Sequence, residues 1–125
     1  TVAKYLGAKG FTVVRVDAPA ADMVLELIPR DAYNQVGTMG YGFHQRSMFG
    51  IKGRAASYVA LNIRPMLDGK SRGDAFYRES FSSLSVADLP TDWLSMSPAL
   101  KAEFDRSLKA NIEKTVTGLL DEIGF

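Results

Sequence analysis

His44 is the only histidine in the sequence, so imidazole acid–base or metal chemistry would have to use it. Catalysis needs a nucleophile or a carboxylate held beside the ring. Its chain neighbours, Phe43 and Gln45, supply neither, and no H-x-x-x-H or H-x-x-E spacing offers a second metal ligand. A loop histidine touching solvent or a partner is the expectation. The carboxylates Asp17, Asp22, Glu26, Asp31, Asp68, Asp74 and Glu79 are scattered. Glu26 stands out because it interrupts the apolar run of residues 23–28. A desolvated carboxylate there would mark a site; an arginine partner or an exposed strand face is the structural alternative.

Glycines offer no phosphate loop. Gly37-x-x-Gly40-x-Gly42 is not G-x-G-x-x-G, no G-x-x-x-x-G-K-[ST] occurs, and Ile51-Lys52-Gly53 does not lead into a helix of the required kind. Residues 40–80 are locally basic, with Arg46, Lys52, Arg54, Arg64, Lys70, Arg72 and Arg78 against Asp68, Asp74 and Glu79. Tyr41, Phe43, Tyr58, Phe76, Tyr77 and Phe81 are interleaved with them. A stacking sheet flanked by cations suits single-stranded nucleic acid. Against that, no ribonucleoprotein signature is present, and the whole chain carries 15 basic and 14 acidic residues, without the basic excess of such binders.

The segment 36–53 is the leading interaction candidate. Gly37, Gly40, Gly42, Gly50 and Gly53 alternate there with Met39, Tyr41, Phe43, His44, Arg46, Met48 and Phe49. Aromatic and methionine side chains on a glycine-rich backbone adapt to a partner protein, a second copy of the chain or a membrane surface. The alternative is that the rings tuck under a sheet as a satellite core.

Several elements must position these residues. The 125 residues suit one domain spanning 1–125, long enough to bury roughly two-thirds of its unfolded surface. Hydrophobic residues at 46% and charged residues at 23% are ordinary for a globular chain. The absence of cysteine excludes disulfides, thiol nucleophiles, iron–sulfur clusters and thiolate zinc sites. No apolar run approaches the roughly 18 residues that span a bilayer. A chain that starts at Thr1, without an initiator methionine and already in helical patterning, is expected to be a processed or trimmed product.

Residues 2–9 read as the last turns of a helix, with Val2, Tyr5 and Leu6 on one apolar side and Gly10 as the stop. Residues 11–16 are β-branched and aromatic and predict a strand. Residues 23–28 predict a second strand, buried on both faces apart from Glu26 and continuing past a bulge or edge at Pro29. Segment 36–53 is either an irregular strand pair or a mobile loop. Residues 56–63 alternate, with Val59, Leu61 and Ile63 on one side and Tyr58, Ala60 and Asn62 on the other. They predict a half-buried strand returning as 75–83 through the polar turn 67–74. A connector holding Trp93, with a short helical turn near Pro90, leads to a long helix. Ser97 caps that helix, Pro98 occupies its first position, and Gly124 ends it. Its stripe is Leu100, Phe104, Leu108, Ile112, Val116, Leu119, Leu120 and Ile123, and Lys101, Asp105 and Lys109 pair on another face. The expected fold is α+β in two layers: a mixed, mostly antiparallel sheet of about four strands with two helices packed on one face.

Beyond these patterns, residues 1–28 carry a resemblance. A helix ending Tyr5-Leu6-Gly7-Ala8-Lys9-Gly10 is followed by Phe11-Thr12-Val13-Val14, a short acidic turn, and Met23-Val24-Leu25-Glu26-Leu27. This is similar to small bacterial envelope lipoproteins, such as TraT-like surface-exclusion proteins and periplasmic domains of the CsgG and YajG kind. The glycine-rich stretch and the Asp68-Gly69-Lys70 turn before a closing helix are similar as well. The resemblance implies a non-catalytic periplasmic or outer-membrane-associated domain that assembles with itself or binds a protein partner, with possible membrane contact through a lipid anchor on a preceding cysteine. It brings no catalytic residues to carry over; with the motif and charge patterns above, the expectation is no cofactor, no metal and no nucleic-acid partner. The reading from another class is a small ligand-binding or enzymatic α/β domain with a pocket near Glu26 and His44.

Overall fold

The structure, a computed structural model, describes residues 1–14, 21–29, 40–67, 70–71 and 76–125, with the backbone alone described for Pro29, Arg46, Ser47, Met48 and Ser71. The elements are α1 (Val2–Ala8), β1 (Val24–Pro29), β2 (Tyr41–Met48), β3 (Ile51–Leu67), β4 (Lys70–Ser71), β5 (Phe76–Ser83) and α2 (Pro98–Ile123). The α+β class holds, with both helices contributing to one core over one sheet face. Every described pairing is antiparallel.

The 17-residue β3 is the spine. Its residues 61–66 pair with β1 and 51–59 with β2, while 56–63 pair with β5 and 66–67 with β4. Leu61 and Ile63 pair with both β1 and β5, and Tyr58 with both β2 and β5. β1 and β2 therefore lie end to end along one edge of β3, and β5 runs along the other. Pro29 pairs with Leu61 and Tyr41 with Val59, so the chain leaves this edge and rejoins it with one β3 residue, Ala60, in between.

The alternation expected over 56–63 is present. Val59, Leu61 and Ile63 face α2 and join Leu6, Val116, Leu119 and Leu120 in one core cluster. The expectation of a half-buried strand needs correction, because Tyr58, Ala60 and Asn62 on the other face are also at most 7% exposed. A central strand with neighbours on both edges loses solvent on both faces. The 23–28 run errs in the opposite direction. It forms an edge strand with one neighbour, and Val24 and Leu27 are 40% and 42% exposed.

Residues 11–14 are not a strand. Phe11 instead closes α1: its N–H donates to Leu6 O, Gly10 N–H donates to Gly7 O, and Gly10 takes φ 89°. This is the Schellman arrangement, which consumes the last carbonyls of the helix. Phe11 then meets Phe125 edge-on at 5.3 Å, and the Tyr5 hydroxyl donates to Asp121. That bond holds the Tyr5 phenol above its ordinary pKa. The expected turn near Pro90 is absent; residues 84–97 form bends without helix. Arg15, Val16, Tyr33, Met39 and residues 68–69 and 72–74 of the expected turn lie outside the described residues.

α2 follows its sequence signals. Ser97 Oγ accepts from Leu100 N at 3.3 Å, and Gly124 caps the end at φ 102°. Lys109 and Asp105 form the i,i+4 pair at 2.6 Å, whereas Lys101 reaches the Leu94 carbonyl. At Gly118 an added Cβ would lie 2.8 Å from the Arg78 guanidinium carbon, the far end of a flexible side chain that would have to shift. A second cluster of Ala55, Leu84, Met96 and Phe104 sits nearer the N-terminal end of the helix.

Between the two clusters runs a polar seam. Asn111, 1% exposed, donates through Nδ2 to the carbonyls of Ser57 and Ser80, each at 3.1 Å. Its Oδ1 accepts from Ser80 Oγ at 2.6 Å. Thr115 Oγ1 donates to the Asn111 carbonyl, and Ser57 and Ser107 hydroxyls meet at 2.8 Å. Removing the amide strands buried partners on two strands, each worth about 1–3 kcal/mol. Asn111→Ala is therefore expected to lower stability by about 2–3 kcal/mol, read as a shifted urea midpoint at unchanged slope.

Candidate functional site

β2 and β3 are joined by a two-residue turn. Met48 pairs with Ile51, and Phe49 and Gly50 between them take φ 51° and 76°. Two consecutive positive φ values are the signature of the tight turn that matches strand twist, and its usual residues are Asn-Gly or Asp-Gly. An aromatic side chain in the left-handed region is strained. Phe49 is nonetheless 96% exposed, and Ile51 beside it 75%. Over the described residues 40–53 this hairpin is the irregular strand pair of the two readings, with a bulge between Gln45 and Ser47.

The seven sequence candidates separate. Tyr41 is exposed on the strand edge and Phe49 at the tip. Phe43 points beneath the sheet, with its ring 4.7 Å from Phe104 and 5.6 Å from Trp93. It is half-buried and packs against the second cluster, the arrangement of the satellite-core alternative. His44 is half-buried on the opposite face, edge-on to Tyr58 at 6.1 Å. Arg46 and Met48 lie on the β2 backbone, and Met39 is outside the described residues.

The pocket expected to join Glu26 and His44 does not form. Glu26 pairs across from Arg64 and His44 across from Ala56. Eight residues of β3 separate those partners, about 26 Å at strand rise. Glu26 is exposed and paired to Arg64 at 3.3 Å, which is the structural alternative named above. His44 instead borders an open cleft of 410 Å³ with Gly53, Arg54, Ala56, Phe81 and Ser83. The Arg54 guanidinium is held by the carbonyls of Leu84 and Ser85 at 3.2 and 2.8 Å.

Patterns missed two residues that brace the hairpin. The Gln45 amide nitrogen faces Gly53 O, Ala87 O and Asp88 Oδ1 at 2.9, 3.0 and 2.6 Å. Its Oε1 accepts from Leu89 N. Asp88 also pairs with Lys52 at 2.8 Å. The connector after β5 is thereby clasped to the base of the hairpin. Only the place of Gln45 within the glycine-rich segment 36–53 could have hinted at this. The Lys52 ammonium, and then the Gln45 amide, hold the Asp88 carboxyl below its ordinary range. Two hydrogen bonds from Ser85 do the same for Glu103.

Among the described residues no group of three histidine or acidic side chains is gathered for a metal ion, and no helix is long and apolar enough to cross a membrane. Comparison with protein-family models, curated proteins and solved structures returned no match.

Two outcomes follow. Phe49→Asn places a residue suited to positive φ in the turn and is expected to raise stability by about 1 kcal/mol, visible as a higher urea midpoint. Asp88 has a depressed folded pKa, so its contribution is complete above the ordinary carboxylate value of about 4 and is lost as pH falls through the folded value. Melting temperature should therefore fall more steeply on acidification in the native chain than in Asp88→Asn.

Proposed function

We propose that this chain is a non-catalytic domain of the bacterial envelope, periplasmic or outer-membrane associated, that docks onto a partner through the β2–β3 hairpin. The observation that carries this reading is Phe49: an aromatic side chain at φ 51°, 96% exposed, where the turn itself favours asparagine or glycine. Strain of this kind survives where it serves a purpose other than folding. The clasp of Gln45 and Asp88 supports the reading by holding the base of the hairpin rigid. Excising residues 38–52 would not test it, because β2 and the Phe43 ring are parts of the fold.

The test places a photo-reactive benzoyl-phenylalanine at position 49, and separately at the exposed Lys114, in the full-length protein inside the producing cells. Docking through the hairpin predicts strong adducts from position 49 and few from 114. Equal or absent adducts at 49 would overturn the assignment.

A further inference from the structure

Resting on that reading of the hairpin as the docking element, we propose that its partner is the interfacial layer of a bilayer containing anionic lipid, entered by the Phe49–Ile51 tip. The tip is a projection rather than a groove. Phe49 and Ile51 are 96% and 75% exposed, and a turn of two residues separates the strands. A protein partner would have to supply a matching apolar pocket, whereas a fluid interface receives a small apolar projection without one.

Charge points the same way. From residue 32 to residue 67 the chain contains no aspartate or glutamate; within that span Arg46 and Lys52 flank the tip, while Arg54 is engaged by the Leu84 and Ser85 carbonyls and Arg64 pairs with Glu26 at the far end of β3. Lys52 follows Ile51 directly, and its side chain is 63% exposed despite its contact with Asp88. On β2, Arg46 stands two residues before Met48. Apolar residues at the apex with cations just behind them match the order of a membrane interface, in which acyl chains lie beneath anionic headgroups. The strained aromatic fits this order, since replacing it with the asparagine the turn favours would remove the insertion surface.

The 125-residue chain is floated with equimolar phosphatidylglycerol–phosphatidylcholine vesicles and with pure phosphatidylcholine vesicles. The expected result is co-flotation with the anionic vesicles, weakened by added salt. Lys52→Gln should reduce that binding about five-fold, and Phe49→Asn about ten-fold or more, with circular dichroism unchanged in both. Phe49→Trp should retain binding, with fluorescence quenched by brominated acyl chains beyond the quenching of Trp93 in the native chain. No flotation with either vesicle, or equal binding by Phe49→Asn, would overturn the lipid assignment. Protein adducts at position 49 without vesicle binding would also overturn it and leave the docking role of the hairpin standing. Absence of both would overturn the two together.

Discussion

Residues 51–67 form one strand seventeen residues long, and each of the other four strands is held in the sheet through it. β1 and β2 share one of its edges end to end, and β4 and β5 follow the other. Among the described residues no other element pairs with four strands at once. Side chains alternate strictly along a strand, so a slip of one residue in any pairing would turn an entire set of apolar residues to the wrong face. The burial of Val59, Leu61 and Ile63 against Val116, Leu119 and Leu120 is therefore a condition on every strand in the sheet.

A helix packed on such a spine by apolar contacts alone could slide, because those contacts are weakly directional. The seam of Ser57, Ser80, Ser107, Asn111 and Thr115 removes that freedom. Asn111 bridges carbonyls on β3 and β5, so its two bonds are made together only at one position and one rotation of α2. Buried polar groups left without partners are costly, which makes the seam a device for registration as well as cohesion. It also divides the interior, leaving the β2–β3 hairpin and the connector on the cluster built around Phe104.

That division explains how the hairpin can carry strain. Its base is fastened by Phe43 against Phe104, by Gln45 and by Asp88, while its apex is in solvent. A left-handed phenylalanine in the middle of a packed element would compete with many contacts. At the end of a braced lever it disturbs none, and the local cost stays local.

Much of this architecture is readable in the residues. The Ser97-Pro98 start and Gly124 stop of α2, its apolar stripe, the alternation of residues 56–63 and the returning strand are local statements, because caps, helical period and strand period depend on near neighbours. The sequence also shows that segment 36–53 holds aromatic residues of uncertain allegiance. It does not show that Phe11 caps α1 instead of opening a strand, since hydrogen bonding to Leu6 outweighed a β-branched composition. Nor does it show that Asn111 and Thr115 are interior, because a search for apolar period passes over polar residues. The plainest case is Phe43 and Phe49. They are the same residue type six positions apart in one segment. Which one packs against the core and which one faces solvent was decided by the pairing of β2 with β3, which assigns one parity of the strand to α2, and by the two-residue turn that carries Phe49 past the last pair. Local periods belong to the sequence; the choice of face belongs to long-range pairing, which only the folded chain makes.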